Sequence, residues 1–572
     1  MDAPMNKYFR FYPTHPPGTA MRLQQQYQQL YAAYGDAPAQ PGLPQLAELW
    51  RCGERNARLQ LARMRERGWL EWRAGRGRGH RSTLRLLQRP DELEWQQLQG
   101  MLARGQLEQA FSRLEPARQQ RLLAALPQHL GAGDSGRSLR IPIPHAPLTL
   151  DPQHVDSRLE SHLVRQIFDR LCRHDRLGQE LRPALAHHWE ADAAGRNWRF
   201  WLRPGLRFHD GGPLDAETAA ASLLRLKRPD NPYHSLYAHL QRVDVHDALS
   251  FSCRLSEADR LWPQRLATAN SSIVPMRRGA DFERMPVGSG PFRVELLSPQ
   301  RLKLAAFDQH YRERALLDAI ELWIIPSPAE QDFHLRLEYG NLRGATMLQS
   351  ACTYLLLSPR SIRVAAEQRL PLMRFLAEPH PVADCDERAP ALGLQPGWRH
   401  PRPAPAPPPR LDGARLTLFH YDLPCFPPLA DALAKRLAQS GIALEIHGLS
   451  RREFFGSAGW RDRADLILCS ELLHDDRDYG MFEWLSGCST LQLGLSPDAS
   501  ARLARDMRRL QAEPEFAARE DGYRRAGDWL VAEGWMLPLS HETLGHDASP
   551  QLAGLQLGGN GWTDFAGLWL RG

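Results

Sequence analysis

Residues 21–34 (MRLQQQYQQLYAAY) space Leu23, Tyr27, Leu30, Tyr31 and Tyr34 so that they share one side of a helix. Gly35 and a Pro- and Gly-rich stretch up to Pro44 end it. A short helical run follows at 44–50 (PQLAELW), then Arg51-Cys52-Gly53, then a longer run at 54–67 (ERNARLQLARMRER). Short helix, Gly-containing turn and longer helix is the helix-turn-helix arrangement. At about 100° per residue Ala57, Leu61, Met64 and Gly68 fall in one narrow sector, which predicts the inward face. The opposite sector carries Arg55, Asn56, Leu59, Arg63 and Glu66, with Arg58 on its flank. Residues 68–73 (GWLEWR) and 83–87 (TLRLL) read as two strands around a turn at 74–82 (AGRGRGHRS), a hairpin wing.

Between residues 91 and 130 the pattern is helical, in three segments, and 131–136 (GAGDSG) is a flexible joint. These helices suit a spacer, packing back on the first unit, or a contact between two copies, which leaves a homo-oligomer open. Beyond Arg137 strands and helices alternate. Residues 141–150 are strand-like, and 157–171 form an amphipathic helix with Leu159, Leu163, Ile167 and Leu171 at four-residue spacing. Residues 198–202 (WRFWL) alternate, Arg203-Pro204-Gly205 turns, and Asp215 is placed to cap a helix running to Leu226. A strand at 416–421, a helix at 428–439 and a strand at 443–449, closed by 465–468 (DLIL), make an α/β unit. Such units joined by crossing segments fit a two-lobed protein that holds a small molecule in its cleft.

Length changes the picture first, because 572 residues exceed what one core supports. The expected organisation is a disordered extension at 1–20, a winged helix-turn-helix at 21–88, a helical connector at 89–137 and a two-lobed α/β domain at 138–572. With 42% apolar and 24% charged residues the composition is that of a globular protein, and no apolar run approaches the ~18 residues a membrane span needs. No membrane partner is therefore expected. Eight cysteines lie scattered without a C-x-x-C, so buried thiols are the simplest account of them. The opening MDAPMNKYFRFYPTHPPGTA lacks the basic, apolar and small-residue regions of an export signal; the expected location is the cytoplasm, with Met21 an alternative start.

Charge is uneven. Residues 1–88 hold fourteen Lys and Arg against six Asp and Glu, while the remainder holds 58 basic and 60 acidic residues. The positive excess sits at one end, as a polyanion-binding segment requires. Arg bonds bidentately to guanine and Asn to adenine, so Arg55, Asn56, Arg58 and Arg63 are candidates for the major groove of double-stranded DNA. A solvated helix face accounts for the same residues equally well until the wing is added. There Gly75, Gly77 and Gly79 alternate with Arg76, Arg78, His80 and Arg81, which lets backbone approach closely while the side chains reach phosphate or the minor groove.

Other chemistry finds little support. Gly288-Ser289-Gly290 lacks the glycine spacing of a nucleophile elbow, and His187-His188 and His209-Asp210 lack a zinc-ligand spacing. No catalytic constellation, metal or cofactor is expected. Tyr354, on the strand-like 353–357, and Trp562 are candidates for lining a ligand cleft, though a place in the core suits both.

Five segments carry a resemblance. They are Leu150-Asp151-Pro152, Ile167-Phe168-Asp169-Arg170-Leu171, residues 183–189 (PALAHHW), residues 198–211 (WRFWLRPGLRFHDG) and residues 287–292 (VGSGPF). In order and spacing they resemble family 5 bacterial solute-binding proteins of the oligopeptide/dipeptide type. Residues 21–27 (MRLQQQY) and 66–70 (ERGWL) add a resemblance to the SgrR-type regulators, in which a winged helix precedes such a module. The resemblance implies a periplasmic-binding-protein-like fold and a cytoplasmic transcription factor that senses a small-molecule effector, a sugar phosphate or a peptide-like solute. The unusually Arg-rich wing and the Pro-rich 399–410 (RHPRPAPAPPPR) depart from it. Two rivals remain: the solute-binding component of an oligopeptide-type ABC importer, and an enzyme using the cleft.

Overall fold

In the computed structural model the described residues are 19–75, 82–103, 106, 110–111, 114, 137–143, 145–155, 157–175, 180–324, 333–339, 345–378, 380–382, 388–401, 411, 415–423, 425–473, 476–558 and 561–571. They fall into two compact units, residues 1–133 and 134–572.

The first unit contains α1 (Thr19–Tyr34), α2 (Leu43–Leu49), α3 (Glu54–Glu66), β1 (Leu70–Arg73), β2 (Thr83–Leu86) and α4 (Pro90–Ala103). Gly35 and Gly68 follow α1 and α3 with positive φ, the left-handed conformation that ends a helix without a Cβ clash. In the turn between α2 and α3 the left-handed residue is Arg51 (φ 49°), whereas Gly53 is extended and N-caps α3. The helix periodicity is realised: Leu23, Tyr27, Leu30, Leu46, Ala57, Leu61 and Met64 make one core with Trp69, Leu70, Leu84 and Leu86 of the hairpin. Trp72 pairs with Leu84 in the antiparallel β1–β2 ladder. Leu93 of α4 joins this core, so the start of the helical connector packs back on the winged helix.

The second unit has three apolar cores. The first lies under a sheet ordered Phe292–Leu297, Arg301–Ala306, Ala319–Ile324, β3 (Ser138–Ile143), in which only the last pair is parallel. Against it packs α5 (Arg158–Ile167), capped by Ser157, whose Oγ accepts from Glu160 N–H at 3.3 Å. β3 is shorter than the expected 141–150, and α5 stops four residues before Leu171. Its carbonyl at Ile167 turns aside to accept from Gly290 N–H at 2.9 Å.

The second core lies under the antiparallel sheet Ala186–Ala191, Asn197–Leu202, Ser250–Leu255, Leu240–Asp247, with the helix Ala216–Leu226 on it. Trp198, Phe200 and Leu202 point inward, as alternation requires, and Asp215 Oδ1 accepts from Thr218 N–H at 2.9 Å. The third core surrounds Arg415–Tyr421, Phe426–Ala438, Ala443–Leu449 and Leu466–Leu472, the expected parallel α/β unit. Ala351–Leu357 and Met536–Ala548 extend its sheet. The thirteen-residue Met536–Ala548 also pairs with Leu335–Tyr339, whose Leu335 belongs to the first core, so this strand links the lobes. Among the described residues no helix is long and apolar enough to cross a membrane.

Candidate functional site

Two places gather chemistry, one in each unit. In the first, α3 turns Ala57, Leu61 and Met64 into the core and leaves Arg55, Asn56, Arg58, Leu59 and Arg63 exposed. The structure therefore brings the four candidate major-groove residues together on one helix face. Asn56 Oδ1 accepts from Gln60 Nε2 at 3.1 Å, which orients the Asn56 amide about two turns before Arg63. Arg76, Arg78, His80 and Arg81 lie outside the described residues; the strands that lead to and from them are in place.

The helix-turn-helix and hairpin are locked together by buried polar atoms. Tyr27 Oη lies 2.8 Å from the carbonyl oxygen of Trp69 and 2.7 Å from that of Gln88, and its one proton serves either. Burial raises the Tyr27 pKa, so it stays a donor. Trp50 Nε1 donates to the Gln26 carbonyl at 2.9 Å, tying α2 to α1.

In the second unit a cavity of about 650 Å³ is lined by α5, the segment after it, residues 310–316 and residues 554–569. Arg165, Arg170, Arg173, Arg312 and Arg314 face it, with Asp169, Asp175, Glu313 and Asp564. Three of these four acids have other engagements: Asp169 meets His310 at 2.9 Å, Asp175 accepts from Glu180 N–H and Asp564 from Ala566 N–H. Arg314 is held by Asp308 and Asp318. The Nε atoms of Arg170 and Arg173 are buried without a hydrogen-bond partner. Burial, with the repulsion of Arg165, pushes Arg170 down to about 10, and burial with Arg312 lowers Arg173. Both remain charged at neutral pH. Like charges gathered in a half-dry cavity favour an anion in their midst.

His162 lines the same wall. It is buried, its Nε2 has no hydrogen-bond partner, and burial together with Arg165 and Arg158 holds its pKa well below 6.5, so its ring is neutral. Trp562 stacks on it at 4.5 Å and faces the cavity. Tyr354 lies elsewhere: it is 0% exposed in the third core, its Oη 3.0 Å from Thr490 Oγ1. All seven residues of its strand, Ala351–Leu357, are buried, and Tyr354 is not among the residues that line the cavity.

Comparison with known proteins follows the same division. The profile of the sugar transport-related sRNA regulator N-terminal family matches residues 22–136. That of the bacterial extracellular solute-binding proteins, family 5 middle, matches residues 180–337. Over 569 residues the chain is 29% identical to the HTH-type transcriptional regulator SgrR of Salmonella typhi, covering 96% of this chain and 98% of that one. The regulator of the same name from Yersinia pestis is 29% identical over 573 residues, with the same coverage. Along nearly its whole length the chain is similar to the SgrR-type transcriptional regulators.

Solved structures agree on the fold. The murein tripeptide binding protein MppA of Escherichia coli matches with a TM-score of 0.64 at 16% identity, covering 76% of this chain and 99% of that one. MoaA of A. tumefaciens R10, solved with mannopinic acid, matches at 0.64 and 18%, covering 77% and 100%. The second unit thus shares the fold of these binding proteins.

The motifs that carried the resemblance prove to be staples of this fold. A Cβ on Gly288 would lie 2.0 Å from the Ile167 carbonyl oxygen, and one on Gly290 2.7 Å from that of Gln166. His209 Nδ1 accepts from Gly288 N–H at 3.2 Å, and its Nε2 donates to the Gly290 carbonyl at 3.0 Å. Ser289 Oγ accepts from Asp169 N–H at 3.2 Å, a structural turn. Sequence reasoning missed Arg165, Arg170 and Arg173. Arg165 lies on α5, Arg170 just after it and Arg173 on the strand Cys172–His174, and local periodicity treats such residues as solvated.

Proposed function

We propose that this chain is a ligand-responsive regulator that binds double-stranded DNA through its first unit and senses a small anionic solute in the cavity of its second. The observation that carries the reading is the exposed row of Arg55, Asn56, Arg58 and Arg63 on the second helix of a helix-turn-helix. Arg76, Arg78, His80 and Arg81 would grip phosphate or the minor groove beside it. Trp562, with Arg170 and Arg173, would hold the effector, a sugar phosphate or a peptide-like solute whose phosphate or carboxylate meets the guanidiniums. The chain would act in the cytoplasm and catalyse no reaction. An importer component would leave the first unit without a role.

Genome-wide mapping of bound DNA would identify the operators, and titration of the full-length protein against one of them tests the interface. Affinity should fall with salt at a slope of about 0.9 per phosphate contacted, and Arg55→Ala with Arg63→Ala should abolish preference for that duplex over an unrelated one. Unchanged preference would remove α3 from the interface. Titration with glucose 6-phosphate and with short acidic peptides, followed by calorimetry and by operator affinity, tests the sensor. Arg170→Ala should weaken whichever binds without altering DNA affinity in its absence.

A further inference from the structure

The outward face of α3 has an apolar centre. Ala57, Leu61 and Met64 mark the buried side, and at 100° per residue Leu59 lies diametrically opposite them. It is 49% exposed, takes no part in the core of the first unit, and is surrounded by exposed Arg55, Asn56, Arg63 and Glu66. A single exposed leucine is ordinary on a protein surface. Its position is what distinguishes this one: the summit of the helix face that carries the arginines, where a helix lying in the major groove comes nearest the base edges.

On the floor of that groove the base pairs present hydrogen-bond donors and acceptors and one apolar feature, the C5-methyl group of thymine. Resting on the DNA-binding reading given above, we infer that Leu59 is a specificity-determining residue that packs on a thymine methyl. Asn56 stands one turn before Leu59, held by its bond from Gln60. Its amide is placed to meet the N6 and N7 of an adenine, so Asn56 and Leu59 together select A·T pairs. Arg55 and Arg63 on either side select guanine. The face would therefore read a short A·T element flanked by G·C.

Selection from a randomised duplex library with the full-length protein gives the probe, and replacement of each thymine of the selected site by uracil, one at a time, gives the test. Uracil differs by the methyl alone. Losing one buried methyl should weaken wild-type binding about fourfold at the contacted position and leave the other positions unchanged. Leu59→Ala should bind thymine and uracil duplexes equally and accept all base pairs there. Its salt slope and thermal stability should match the wild type, since no charge or core contact is lost. Indifference of the wild type to uracil at every thymine, or a Leu59→Ala variant that still distinguishes the two, would overturn the inference while leaving DNA binding intact. A wild type that retains no duplex even in dilute salt would instead defeat the DNA-binding reading, and this inference with it.

Discussion

At the scale of single residues, the glycines of the 287–292 turn show what a missing Cβ secures. Ile167 offers a backbone carbonyl that cannot rotate aside, so Gly288→Ala must displace either α5 or the turn. It should destabilise the chain by about 3–5 kcal/mol in denaturant titration. Gly279→Ala, with nothing within 4 Å of the new methyl, should stay within about 0.5 kcal/mol. His209, which clasps the same turn, adds a pH dependence. A second proton would have to occupy Nδ1 and confront the Gly288 N–H, and burial already pushes the pKa down to about 4 from 6.5. The unfolded chain therefore binds the proton more readily than the folded one. The contribution of this clasp is intact above pH 6.5 and is lost as pH falls toward 4, by up to about 3 kcal/mol. Unfolding curves of His209→Gln at pH 7 and pH 5 should differ less than those of the wild type, although the variant is weaker at both.

At the scale of elements, the winged helix was legible because its information is local. Three helices announce themselves by apolar spacing, and the hairpin by alternation around a glycine-rich turn; the ladder that pairs Trp72 with Leu84 follows. What spacing does not disclose is how the hairpin is tied to α1. That is done by Tyr27, which periodicity marks only as an apolar position, through carbonyls 42 and 61 residues away. Tyr27→Phe keeps the packing and leaves those carbonyls short of a donor, so it should cost about 1–2 kcal/mol. If chemical denaturation finds no change, water replaces the hydroxyl. The end of α5 gives a similar lesson: apolar spacing continues to Leu171, but the helix yields its last carbonyl, at Ile167, to a turn more than a hundred residues away.

At the scale of the whole molecule, long-range polar contacts join the second and third cores. Arg265 is fully buried, bonded to Asp259 at 2.9 Å and, across the lobe boundary, to Tyr479 Oη at 3.4 Å; each member of the Arg265 and Asp259 pair holds the other ionised. Asp259→Asn strands a buried guanidinium and should cost about 3–5 kcal/mol, whereas Asp230→Asn, in an exposed pair with Arg228, should cost well under 1 kcal/mol by the same unfolding measurement. The sequence by itself determined the two-part plan, the arginine face of α3, the α/β repeats and, through the solute-binding motifs, the lobed fold, since each is written in neighbours a few positions apart. Only the tertiary structure decided that Tyr354 is core and Trp562 faces a cavity, and that Arg165, Arg170 and Arg173 meet Arg312 there. Spacing along the chain records which side of an element is apolar. Which distant elements share a wall depends on packing, and charges become a site only when packing removes their water.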